Sequence, residues 1–70
     1  MKIYLASLDE GVKRAYDFLN GRHGWLQVLR GKVTANGSAL AAGDALALSE
    51  EPALMVRADA SAEVMLFDLA

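Results

Sequence analysis

Seventy residues limit the chain to one domain, near the lower size at which a core can hold a monomer together. The lack of cysteine excludes disulfides and thiolate metal sites. No apolar run approaches the roughly 18 residues of a membrane span, and Met1-Lys2 is not followed by a signal-peptide core. A soluble, cytoplasmic chain without a membrane partner is expected. The net charge of −2 is unevenly spread, with six Lys/Arg against three Asp/Glu in residues 1–32 and one against six in residues 33–70. Pairing the two halves in one sheet structure would largely cancel them. The basic half has no Lys/Arg run interleaved with aromatics, so no nucleic-acid partner is expected. At 54% hydrophobic residues the chain is rich in apolar groups for its size, and part of that surface is expected to face a partner.

Residues 2–8, KIYLASL, alternate so that Ile3, Leu5 and Ser7 share one face and Tyr4, Ala6 and Leu8 the other, predicting a strand partly covered on both sides. Asp9-Glu10-Gly11 is a turn. Residues 12–19, VKRAYDFL, fit two patterns. A helix would group Val12, Ala15, Tyr16 and Leu19, whereas a strand would align Val12, Arg14, Tyr16 and Phe18. The short length and the β character of the rest favour the strand. Residues 20–24, NGRHG, then form a loop that delivers the chain to Trp25.

The stretch 25–44, WLQVLRGKVTANGSALAAGD, organises the rest. Its first part, 25–30, is an aromatic and aliphatic run ending at Arg30-Gly31, where glycine permits a bend or bulge. Asn36-Gly37 separates the short runs 32–35 and 38–41. A two-residue Asn-Gly loop is the strongest local hairpin signal, because a type I′ turn needs positive φ at both central positions. Ala42-Gly43-Asp44 is a second turn before the apolar run 45–48. Glu50-Glu51-Pro52 breaks the pattern, since proline cannot donate into a central ladder. Residues 53–58 form the next strand, with Leu54 and Val56 facing opposite to Met55 and Arg57, and 59–62 form a turn. The last strand, 63–69, contains Val64-Met65-Leu66-Phe67, which puts two apolar side chains on each face and calls for cover on both. So short a chain is expected to take the second cover from another domain or another copy of itself.

No catalytic or metal site is legible in the sequence. His23 is the only histidine, and one histidine between glycines cannot supply the usual three protein ligands of a catalytic metal. None of the serines occupies a strand-to-helix elbow. Adjacent carboxylates such as Glu50 and Glu51 point apart on a strand. The glycines at 31, 37 and 43 are too widely spaced for a phosphate loop and lead into no helix. Trp25 is expected to be core or to line a pocket.

The phrases WLQVLRG at 25–31 and AEVMLFDL at 62–69, with Val33, Asn36-Gly37, Leu40 and the turn through Gly43-Asp44 between them, resemble the C-terminal cupin domain of pirin-like bicupin proteins. That group includes bacterial quercetin 2,3-dioxygenases. The resemblance implies an all-β fold, a small antiparallel jelly-roll β-barrel over residues 1–70, completed by a partner or a dimer. Metal-binding cupins carry two His and a Glu shortly before the V-L-x-G phrase and a further His after the G-D-x turn and a proline. By those landmarks the Glu position falls near Gly24 and the late His near Leu54, neither of which binds a metal. The resemblance therefore implies a metal-free half with no catalytic residue and no cofactor, its active site belonging to an N-terminal cupin absent from this chain.

Three roles are compatible with the sequence. The favoured one is a non-catalytic structural or interaction domain, acting as a homo-oligomer, most simply a dimer, or with an N-terminal cupin. The second is a part of a quercetinase-type dioxygenase. The third is a small-molecule binder using the barrel mouth near Tyr16, Trp25 and Met55. Tyr16, Trp25, Met55, Met65 and Phe67 are the candidates for a pocket or an interface.

Overall fold

A computed structural model describes residues 1–19, 21–49 and 51–69. Eight strands run β1 (Lys2–Leu8), β2 (Lys13–Asp17), β3 (His23–Arg30), β4 (Lys32–Ala35), β5 (Ser38–Ala41), β6 (Ala45–Ser49), β7 (Ala53–Ala58) and β8 (Ala62–Leu69), with no helix among the described residues. They form two four-stranded antiparallel sheets, ordered β1-β8-β3-β6 and β2-β7-β4-β5. The ambiguous segment at 12–19 is a strand over its central residues Lys13–Asp17 and not a helix. Arg14 and Tyr16 lie opposite Val56 and Leu54 on its inward side, and Val12 and Phe18 flank it against the core. The expected loop at 20–24 is shorter than the sequence suggests, because His23 and Gly24 already belong to β3. Asn20, expected in a loop, and Glu50, expected in the break before residue 53, lie outside the described residues.

Local chemistry explains how one chain feeds both sheets. Asn36 and Gly37 have φ of 47° and 84°, the doubly positive turn that the Asn-Gly pair favours, and they close β4 on β5 with Ala35 opposite Ser38. The register of β3 on β8 slips between Val28 and Arg30, and the bend at Gly31 then carries the chain from the first sheet to the second. Asp44 holds the corner between β5 and β6. Its carboxylate accepts the Ala41 amide at 2.9 Å, and its carbonyl accepts the Val28 amide at 3.0 Å.

The inner faces of the two sheets meet in one core. Leu26, Val28, Val64 and Leu66 come from the first sheet, and Val33, Leu54, Val56 and Ala58 from the second. Leu26, Val28 and Val33 are the largest side chains fully shielded from solvent. Pairing β1 with β8 also brings the basic and acidic halves together, with Lys2 opposite Asp68.

Candidate functional site

Alternation along β8 places Ala62, Val64, Leu66 and Asp68 on the inner face, and Asp68 is only 2% exposed. A buried carboxylate is costly unless it is paired and hydrogen-bonded. Here the Tyr16 hydroxyl donates to Oδ2, and Arg22 Nε donates to Oδ1 at 2.6 Å. Arg22 Nη2 also donates to the Asp68 carbonyl at 3.0 Å. The Tyr16 bond first and the Arg22 bond second hold the Asp68 carboxyl below its ordinary range, and the same carboxylate pushes the Tyr16 phenol well above its own. The triad ties β8, β2 and the segment before β3 together at one end of the barrel. The Tyr16 ring also meets a tilted Tyr4 ring and an edge-on Phe18 ring, with centroids 5.2 Å and 5.0 Å away.

Beside this triad the sheets part along the β1/β2 edge and leave a cleft of about 200 Å³. Leu26 and Leu66 line it from one side and Leu54 and Val56 from the other, with Tyr4 and Arg14 among the residues bordering it. Its walls are almost wholly apolar.

The outer face of the first sheet is a third feature. Cross-strand register sets Ile3, Phe67, Trp25 and Ala47 in one row and Leu5, Met65, Gln27 and Ala45 in the next. Ile3 is 53%, Leu5 63% and Trp25 42% exposed, and Met65 and Phe67 are half-buried. Trp25 is thus neither core nor pocket wall, and β1 has apolar cover on its Leu8 side but not on its Ile3 and Leu5 side. Tyr16, Trp25 and Met55, expected at one mouth, do not share it. Tyr16 lines the cleft, Trp25, Met65 and Phe67 lie together on this outer face, and Met55 stands on the outer face of the opposite sheet.

Residues 1–69 match the quercetinase C-terminal cupin domain. The chain belongs to that family. It is 36% identical over 69 residues to the quercetin 2,3-dioxygenase of Escherichia coli strain K12 and to that of Escherichia coli O157:H7. Each alignment covers 99% of this chain but 30% of the relative, so the chain spans under a third of the length of these enzymes. Among solved structures, YhhW from Escherichia coli superposes with a TM-score of 0.95 at 35% identity, covering 97% of this chain and 29% of that one. The bacterial pirin YhhW in complex with nickel(II) superposes at 0.94 with 36% identity, covering 96% and 29%.

The barrel end of this cupin does not fit a metal. Gly24 faces the core, and a Cβ there would collide with the Phe18 ring and press on Leu48, so a phenyl ring fills the space a ligand side chain would need. Leu54 is buried and apolar. Among the described residues Asp68 is the one buried carboxylate and has both oxygens engaged, and no three His, Cys, Asp or Glu cluster together. His23 sits on β3 rather than in a loop, exposed, its Nδ1 3.0 Å from the Ser49 hydroxyl. The Tyr16–Asp68–Arg22 triad escaped the sequence reading, although one signal for it was present. An acid at the next inward position after Val64 and Leu66 requires buried donors. What the sequence does not place is Arg22, which reaches Asp68 across 46 residues.

Proposed function

We propose that this cupin is a non-catalytic interaction domain over residues 1–70, which docks through the outer face of the β1-β8-β3-β6 sheet. Its natural occupant is a second cupin domain, with another copy of this chain taking that place when the domain stands alone. The observation that carries the reading is the contiguous strip of Ile3, Leu5, Met65, Phe67 and Trp25, because contiguous exposed apolar surface on a small protein marks an interaction site. The length of the relatives supports it, since the corresponding stretch there belongs to a chain more than three times as long. Gly24 and Leu54 support the non-catalytic part. Sedimentation equilibrium of the chain at micromolar concentration, with metal content measured on the same sample, tests both parts. A dimer without stoichiometric metal is expected. A cooperatively folded monomer would overturn self-association through that face, and stoichiometric metal would overturn the non-catalytic reading.

A second reading rests on the identity to the two quercetin 2,3-dioxygenases across nearly the whole chain. In it the domain is the non-metal part of a quercetinase-type dioxygenase, completed by an N-terminal cupin. Joining such a cupin to this chain should then yield a metal-dependent oxygenase of quercetin. Failure of the two to associate counts against it.

A further inference from the structure

We infer that the cleft at the β1/β2 edge is a binding site for a small apolar carboxylate, a single aromatic ring or short alkyl body carrying one anionic end. Size sets the body. At about 200 Å³ the cleft exceeds the roughly 150 Å³ cavity that accepts benzene and falls below the roughly 300 Å³ at which drug-sized pockets begin. Its interior offers Leu26, Leu54, Val56 and Leu66 and no unsatisfied buried side-chain polar atom among the described residues. The nearest inward hydroxyl, that of Tyr16, is already committed to Asp68. A polar centre in the ligand would therefore lose its hydration inside without gaining a partner.

The mouth sets the other end. Arg14 stands opposite Val56 on the inward side of β2 and borders the cleft. Its guanidinium donates to the Lys13 carbonyl at 3.0 Å and meets no carboxylate among the described residues, unlike Arg22 and Arg57, which both have one. A planar fork of donors at the rim of an apolar hole is complementary to a carboxylate whose body points inward. Tyr4, on the facing edge strand, borders the same cleft with its ring 5.2 Å from that of Tyr16. The site is separate from the docking face, so either can fail without the other.

The test is methyl and aromatic NMR of the chain titrated with para-ethylbenzoate and, in parallel, the neutral para-ethylbenzamide. Saturable shifts confined to Leu26, Leu54, Val56, Leu66 and Tyr4 are expected, with the acid binding about tenfold more tightly than the amide. Arg14→Gln, a change at an exposed edge-strand position, should bring the acid down to the amide's affinity and leave the amide unchanged. Failure to saturate by about 10 mM, where ligands of this size still register, would overturn the site. Equal affinity of acid and amide, or equal weakening of both by Arg14→Gln, would overturn its anionic selectivity and with it the inference.

Discussion

Gly31 marks the step from one sheet to the other at a φ of 80°, and a Cβ there would run into the Ser61 carbonyl and the backbone of Ala62. Gly37 has nearly the same φ, 84°, but open space around it. The two positions separate conformational cost from collision. Gly37→Ala should lose about 1–2 kcal/mol, the cost of the left-handed region for an L-residue. Gly31→Ala should lose about 2–5 kcal/mol, because strain and backbone overlap add. Urea denaturation of both variants measures the difference, and equal losses would mean that the β7–β8 turn yields freely. Both glycines read alike in the sequence, as punctuation between strands. Their difference depends on a backbone carbonyl thirty residues away from Gly31, which no local pattern reveals.

Among elements, the Tyr16–Asp68–Arg22 triad decides how β2 is held to β8, and it gives the fold a definite pH range. Asp68 has a lowered pKa in the folded state, so its contribution is full above the unfolded value of about 4 and is lost as pH falls through the folded one. Tyr16 has a raised pKa, so its contribution is full below about 10 and is lost as pH rises toward the folded value. Thermal melts should show a plateau between these limits and a fall on either side. Asp68→Asn should shrink the acid limb without abolishing it, since the Thr34 hydroxyl and Arg57 also hold Asp59 low. Tyr16→Phe should remove the alkaline limb and shorten the acid one, and each variant should melt several degrees lower at neutral pH. An unchanged profile in Tyr16→Phe would show that the hydroxyl and Asp68 are not coupled. The strands themselves were legible, because their alternation and the Asn-Gly, Arg-Gly and Gly-Asp corners are local. Even the uncertain stretch at 12–19 resolved as its Val12, Arg14, Tyr16, Phe18 alternation suggested. Which strand lies over which was not legible. That is why Tyr16, Trp25 and Met55 looked like one mouth and stand on three surfaces.

At the scale of the molecule, a slab of 31 × 18 × 15 Å has room for one core between two sheets and leaves the outer faces to whatever surrounds it. Val64-Met65-Leu66-Phe67 divides accordingly, with Val64 and Leu66 buried in the core and Met65 and Phe67 half-buried on the outside. The run of four announced a need for cover on both faces but not which two residues would lack it. The proposed docking face turns that division into a comparison of two charged substitutions three residues apart on opposite faces of β8. In a self-associating chain, stability should rise with protein concentration by about 1.4 kcal/mol per tenfold, a shift of several degrees in Tm. Phe67→Lys should abolish that dependence and leave a folded monomer, because the lysine points away from the core and can reach solvent. Val64→Asp should unfold the chain at every concentration, because an unpaired carboxylate would enter the core. Melts over a hundredfold concentration range, with sedimentation of each variant, distinguish the two effects. Concentration-independent melting of the unsubstituted chain would mean that the strip of Ile3, Leu5, Trp25 and Phe67 remains in water, and the docking proposal would then fail for this chain alone. Phe67→Lys unfolding as Val64→Asp does would mean instead that the outer row supports the barrel itself.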